Sequence, residues 1–182
     1  MNETKTVAMI VDNYFEQSEL EETRQLLSDA GLKVDIVATK DQTLQAMDGD
    51  VKMGDTFEYD IVLEEADPDD YDVVVLPGGV INSDNLRMNE IAHQFLNEIN
   101  ESEKLIAAIC HAPWVLISAD LVEGRTLTSY STLQHDLKNA GAIWIDKDVV
   151  VDGNLVTSRD PGDIRVFAET IIDLMEEDDE EE

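Results

Sequence analysis

The chain of 182 residues has a single cysteine, Cys110, and very few basic residues. One cysteine excludes both an intramolecular disulfide and a zinc cluster built on cysteines. Only 12 Lys and Arg stand against 42 Asp and Glu, which gives a formal net charge of −30. Binding to nucleic acid requires basic side chains that neutralise phosphates. The composition therefore predicts a protein without a nucleic-acid partner.

Long apolar runs are also absent. The longest nearly continuous apolar stretch spans residues 105–117 and is interrupted by His111, whereas a membrane helix needs about 20 apolar residues. The first residues, MNETKTVAMIV, lack the basic segment and the cleavage site of a signal peptide. We therefore expect a cytoplasmic protein with no membrane partner. Neither a phosphate-binding GxGxxG sequence nor a cluster of metal ligands is found in the chain, so we expect no cofactor and no metal.

The acidic excess is spread over the whole chain. Residues 176–182 are all Asp or Glu, and we expect them to form an acidic tail after a single domain of residues 1–175. The remaining acidic residues would repel each other at low ionic strength. In about 1 M salt the Debye length falls to about 3 Å, so most of that repulsion is screened. We hypothesise a protein from the salt-rich cytoplasm of a halophile, with an ordinary acidic protein as the alternative.

Apolar runs typical of strands alternate with segments of helical periodicity along the chain. Strands are predicted at Thr6–Val11, Val34–Ala38, Val73–Leu76, Leu105–Ile109 and Thr126–Thr128, with a small ribbon in residues 41–63 and a hairpin in residues 149–156 that turns at Asp152 and Gly153. Helices are predicted for residues 19–30, after Asn89, and for residues 113–119, 133–140 and 164–175. Continuous apolar strands between helices indicate a mainly parallel sheet covered on both faces. We therefore predict a flavodoxin-like three-layer α/β sandwich.

Functional sites in open α/β sheets lie beyond the carboxyl ends of the strands. Three such ends carry polar or glycine residues: residues 12–16, residues 77–79, and Cys110 with His111. Cys110 follows an apolar strand directly and precedes a short helix, as the nucleophile does in a strand-to-helix elbow. Main-chain N–H groups at the start of that helix would favour a thiolate, and so lower the thiol pKa, or stabilise an oxyanion. The alternative is that Cys110 is a small buried residue of the core.

The segment AICHAPWVLISADLVEGR resembles the elbow of the PfpI family of intracellular cysteine peptidases. This family belongs to the superfamily of class I glutamine amidotransferase-like folds, which also contains the Parkinsonism-associated deglycase. The resemblance extends to DNYFEQSEL, to DVVVLPGG, and to the stretch LTSYSTLQHDLKNAGAIWIDKDVVVDGNLVTSRDPGD. It covers nearly the whole chain and implies the same fold as the alternation of strands and helices.

The resemblance also implies roles for individual residues. Cys110 matches the nucleophile of the family, and Glu16 matches the carboxyl that approaches the thiol. His111 matches the base assigned in PfpI-like peptidases, and Asp84 would orient it from a neighbouring subunit. A homodimer or a larger homo-oligomer is therefore expected.

The remaining site residues follow from the same resemblance. Gly79 and His111 would supply oxyanion-binding N–H groups, with Gly78 in the same turn, and Tyr130 would line the pocket. Three functions stay open. The first is a PfpI-type peptidase, in which the Cys110 thiolate attacks a peptide carbonyl. The second is a deglycase or glyoxalase acting on small carbonyl adducts, and the third is a stress protein without enzymatic activity that senses oxidant through Cys110.

Overall fold

A computed structural model describes residues 4–181, in which strands and helices alternate as predicted. The strands are β1 (Thr6–Val11), β2 (Phe15–Glu16), β3 (Lys33–Ala38), β4 (Leu44–Asp48), β5 (Lys52–Phe57), β6 (Ile61–Val62), β7 (Val73–Leu76), β8 (Leu105–Ile109), β9 (Thr126–Leu127), β10 (Ile143–Trp144), β11 (Val149–Asp152) and β12 (Leu155–Ser158). The helices are α1 (Gln17–Asp29), α2 (Val80–Leu86), α3 (Glu90–Glu101), α4 (Pro113–Ser118), α5 (Gln134–Asn139) and α6 (Ile164–Glu181).

A central sheet of seven strands has the order β11-β12-β8-β7-β1-β3-β6. All neighbouring strands in it are parallel except β11 and β12, which form an antiparallel hairpin. Side chains alternate between the two faces of a strand. On β1, Ala8 and Ile10 join a core with α3 and α4, whereas Val7, Met9 and Val11 join a second core with α1 and α6. The prediction of a flavodoxin-like sandwich is thereby confirmed.

The order of the strands determines where a functional site can lie. β1 lies between β3 and β7: the chain leaves β1 toward β3 and β6 on one side, and after β6 it crosses to β7 on the other side. Such a switch point leaves a crevice beyond the carboxyl ends of the central strands. The segments that follow β1, β7 and β8 meet there. A smaller sheet of β2, β4 and β5 stands beside this crevice, and the turn between β4 and β5, residues 49–51, reaches toward it.

Four local features differ from the sequence predictions. Helix α1 begins at Gln17 rather than Glu19, and α2, directly after Gly79, was not predicted. The hairpin between β11 and β12 turns at residues 153–154, because Asp152 still pairs with Leu155. Helix α6 continues to Glu181, through most of the segment expected to be a tail. Within residues 4–181, no helix has the length and the apolar character needed to cross a membrane.

Candidate active site

Cys110 occupies a strained turn at the end of β8. Its φ is +63°, in the left-handed region that residues other than glycine rarely adopt. The thiol residue is 6% exposed. Its N–H donates to the carbonyl of Ser158 at 3.1 Å, and its own carbonyl accepts from the N–H of Tyr130 at 2.8 Å. Strain of this kind persists only where the surroundings fix it, and it is concentrated at functional sites.

Glu19 is the carboxyl next to the thiol. It lies in the first turn of α1 and is fully buried. Its Oε2 accepts from the N–H of Gly78 at 2.6 Å, and the carboxyl also interacts with the Cys110 thiol. Its Oε1 is buried without a well-formed hydrogen bond to any residue that the structure describes. A buried carboxyl with spare hydrogen-bonding capacity beside a thiol is equipped to hold or to move a proton.

Glu16 is therefore not the acid that approaches the thiol, and the sequence prediction is wrong by one helical turn. Because α1 starts two residues earlier than predicted, Glu16 becomes its N-cap residue and Glu19 becomes its third. The Glu16 carboxylate turns away, where it accepts from the N–H of Gly49 at 2.9 Å and from the hydroxyl of Ser18 at 3.0 Å. The sequence alone does not distinguish Glu16 from Glu19, since both lie in the same short acidic segment after β1.

The burial of Glu19 and Cys110 governs their ionisation. Burial raises the pKa of Glu19 to about 8, although its bond from the N–H of Gly78 acts in the opposite direction. Burial and the neighbouring Glu19 carboxylate also raise the pKa of the Cys110 thiol, against the N–H groups of Gly79 and His111. The lowered thiol pKa expected from the start of α4 is therefore not found. Two adjacent buried acids resist ionising together, and Glu19 is the one that ionises first, because its carboxylate is part of what raises the pKa of the thiol.

His111 contacts the thiol from the other side. Its Nδ1 lies 3.2 Å from Sγ of Cys110. The ring stacks on Tyr130 with centroids 4.6 Å apart and meets the edge of Trp114 at 5.4 Å. Burial lowers the pKa of His111, although the charge of Asp50 partly opposes this. Tyr130 thus fixes the histidine ring, and its role in lining a pocket stays a prediction.

The double glycine brings backbone N–H groups to the thiol. The N–H groups of Gly79 and His111 both interact with Cys110. Gly79 has φ +93°, and a Cβ there would stand 2.7 Å from the N atom of Glu16 and 2.8 Å from the carbonyl oxygen of Tyr14. A Cβ on Gly78 would meet Glu19 Oε2 at 2.6 Å and the Cβ of Cys110 at 2.7 Å. Both positions therefore require glycine.

Two acids are candidate partners of His111: Asp84, which the sequence suggested, and Asp50, whose charge acts on the ring. Asp84 is exposed on α2, and no contact among the described residues joins it to His111 of the same chain. Its role in orienting a neighbour's histidine stays a prediction. Asp50, which the sequence reasoning missed, is the acid whose charge acts on both His111 and Glu19. No local pattern marks it, because the β4–β5 turn reaches the site only through the fold.

Metal chemistry has no candidate donor set in this region. Over residues 4–181, no group of three or more His, Cys, Asp or Glu side chains is arranged to hold a metal ion. The groups gathered at the site are the Cys110 thiol, the Glu19 carboxyl, the His111 imidazole and the N–H donors of Gly79 and His111.

The architecture and the elbow agree with the comparison to known families. The DJ-1/PfpI family matches residues 5–174. The chain therefore belongs to the DJ-1/PfpI family.

Similar proteins carry two kinds of name. A protein of Thermococcus kodakarensis named Deglycase TK1284 is 45% identical over 124 residues, which are 68% of this chain and 74% of that protein. The Bacillus subtilis protein YraA, named as a candidate cysteine protease, is 34% identical over 94% of this chain and 99% of its own length. The crystal structure of Drosophila melanogaster DJ-1beta aligns with a TM-score of 0.86 and 33% identity, over 93% of this chain and 89% of that one.

Proposed function

We propose that the chain is a cysteine-dependent enzyme that acts on small dicarbonyl compounds or their adducts, as a deglycase or glyoxalase does. The observation that carries the proposal is the buried Glu19 carboxyl, with a pKa of about 8, placed between the N–H of Gly78 and the Cys110 thiol. A group whose pKa is near the working pH transfers protons most effectively. The name of the Thermococcus kodakarensis relative supports the same activity.

The geometry of Cys110 and Glu19 supports the following reaction of a 2-oxoaldehyde. The sulfur of Cys110 forms a bond to the aldehyde carbon while its S–H bond breaks, and the proton passes through the Glu19 carboxylate to the carbonyl oxygen, giving a hemithioacetal. Glu19 removes the proton from this carbon and returns a proton to the adjacent ketone carbon, while the hydroxyl proton on the first carbon passes to the ketone oxygen. The first carbon is thereby oxidised and the second reduced, which leaves a 2-hydroxy thioester. Water then cleaves the C–S bond, releasing a 2-hydroxy acid and the free thiol.

The N–H groups of Gly79 and His111 would stabilise the negative oxygen that develops in the first step. Preorganised donors of this kind contribute most where water is excluded, and the site is nearly closed, with Cys110 only 6% exposed. A small carbonyl compound fits such a site better than a peptide chain does.

Turnover of methylglyoxal tests the proposal with a matched pair of variants. Glu19→Gln and Glu16→Gln make the same change at two buried acids one helical turn apart, and only Glu19 contacts the thiol. We expect Glu19→Gln to lower kcat by a factor of about 100 or more, because proton transfer contributes that much, whereas Glu16→Gln should change it little. Cys110→Ser should abolish turnover. Equal rates in the two glutamine variants would contradict the proposal.

A peptidase is the second candidate, and the contact between Cys110 and His111 favours it. An Nδ1–Sγ distance of 3.2 Å suits a histidine that takes the thiol proton. In this alternative, a homo-oligomer would bring Asp84 of a second copy to His111. Hydrolysis of a peptide amide by the wild type, and its loss in Asp84→Asn with methylglyoxal turnover retained, would favour the peptidase. Absence of amide hydrolysis in the intact oligomer would exclude it.

A further inference from the structure

The β4–β5 turn is joined to the site by two hydrogen bonds. The N–H of Gly49 donates to Glu16 Oε2 at 2.9 Å, and Oδ1 of Asp50 accepts from the N–H of Val80 at 2.9 Å. Val80 directly follows Gly79, whose N–H interacts with the thiol. The turn therefore supports the peptide segment that carries an oxyanion donor.

Asp50 adds a negative charge to this wall of the site. Its φ of +63° is unusual for a residue other than glycine, so the surroundings hold the backbone in a strained conformation. The residue is half-buried, and it has one carboxylate oxygen engaged by Val80. Its charge acts on Glu19 on one side of the thiol and on His111 on the other. Asp50 therefore places a negative charge beside the two groups that contact the sulfur.

We propose that Asp50 is a specificity-determining residue that disfavours anionic carbonyl substrates and favours neutral or cationic ones. The mechanism proposed above makes no use of Asp50, and this inference deepens it by naming the charge of the substrate. A dicarbonyl bearing a carboxylate or a phosphate would be repelled at the position where the carbon–sulfur bond forms. A neutral compound, or an adduct on a cationic side chain, would not be repelled. Repulsion of this kind is strongest at low ionic strength.

Alkylation of Cys110 by iodoacetamide and by iodoacetate tests this without any turnover. The two reagents are nearly the same size and differ by one negative charge, and Cys110 is the only thiol in the chain. Asp50→Asn removes the charge but keeps an oxygen that can accept from Val80. Any change in thiol ionisation alters both rates equally, so it cancels in their ratio. Asp48→Asn, an exposed position two residues away, makes the same change in net charge and is the control.

In low salt and below pH 7, the wild type should react faster with iodoacetamide than with iodoacetate. In Asp50→Asn the ratio of the two rates should fall on the order of fivefold, as expected for one nearby charge in a partly buried site. Asp48→Asn should leave the ratio within a factor of two of the wild type. If the asparagine variant folds poorly, Asp50→Ser is measured in its place, since the serine hydroxyl can also accept from the N–H of Val80. Equal ratios in the wild type and in the folded Asp50 variants would overturn the inference, even if methylglyoxal turnover is observed.

Discussion

Carboxyl groups meet opposite environments at the centre of this molecule and on its exterior. Glu19 is shielded from water and salt, and burial raises its pKa to about 8. The exterior carries most of the 42 acidic residues, against 12 basic ones, in contact with solvent. The interior acid should therefore respond to pH and to small changes in packing, whereas the exterior acids should respond to ionic strength. The same side-chain chemistry serves proton transfer in one region and surface charge in the other.

Packing at the site gives one of the two large expected effects. In Gly79→Ala the new Cβ would meet backbone atoms at 2.7 and 2.8 Å, and φ is +93°. We expect the free energy of unfolding to fall by about 3 kcal/mol or more, since both strain and overlap are introduced. Gly124→Ala is the control, because Gly124 has φ +73° with no atom within 4 Å of a Cβ. Gly124→Ala should lower the free energy of unfolding by about 1 kcal/mol. Denaturant unfolding measures both, and equal losses would mean that the close approach is unimportant.

The pH response of the interior comes next. The pKa of Glu19 is about 8 in the folded protein and has a model-peptide value of 4.5. Between these values the folded state holds a proton that the unfolded state has lost, so this group makes stability fall as pH rises. The slope is about 1.4 kcal/mol per pH unit, and it ends above the folded pKa.

Glu19→Gln in a Cys110→Ser background isolates this response, because the thiol no longer titrates. The stability of Cys110→Ser relative to the double variant should decrease from about pH 4.5 to about pH 8 and then level off. Urea unfolding across this range provides the measurement. A constant difference would show that Glu19 is ionised in the folded protein.

Ionic strength should act on the exterior. We expect the melting temperature to rise steeply from low salt to molar potassium chloride, because salt screens repulsion among the acidic residues. Any homo-oligomer should dissociate at low salt before the fold is lost, which sedimentation at each salt concentration would detect. Sucrose serves as the control, since it strengthens apolar burial without screening charge. A flat melting temperature in potassium chloride would contradict both the repulsion and the halophile hypothesis.

An exposed ion pair should have the smallest effect. Lys52 and Asp48 are joined at 2.9 Å, with side chains 76% and 63% exposed. Pairs of this kind contribute little to stability, because water and salt screen them. Lys52→Met should therefore leave the midpoint of thermal or urea unfolding nearly unchanged. A larger loss would mean that exterior charges act through specific pairs and not through their overall field.

The sheet and most helices could be predicted because their signals are local. Strands such as Val73–Leu76 and Leu105–Ile109 are continuous apolar runs, and both are buried as predicted. Helix α2 was missed because its sequence, VINSDNL, has weak helical propensity. Its first N–H is instead satisfied by Asp50, a residue 30 positions earlier in the chain. A pattern within one segment cannot contain that information.

The sequence predicted the cysteine and the segments around it, and it missed two acids, Glu19 and Asp50. Cys110, His111 and the double glycine follow strand ends, where the fold requires a site. Glu19 was missed because the segment DNYFEQSEL contains two glutamates three residues apart, and the resemblance was matched to Glu16, nearly one helical turn too early. Asp50 was missed because its charge acts on His111 and Glu19 only once the β4–β5 turn has bonded to Val80 at the start of α2.

The backbone hydrogen bonds of Cys110 determine how late in folding the elbow can form. The carbonyl of Cys110 is held by Tyr130, and its N–H is held by Ser158, 48 residues further along the chain. Contacts between residues this distant in sequence form late, since a long loop must close before they add stability. Until β12 pairs with β8, the cysteine has no partner for its N–H and no cause to adopt a positive φ. A chain still emerging from the ribosome thus carries an ordinary thiol, and its special geometry arises only when the sheet is nearly complete.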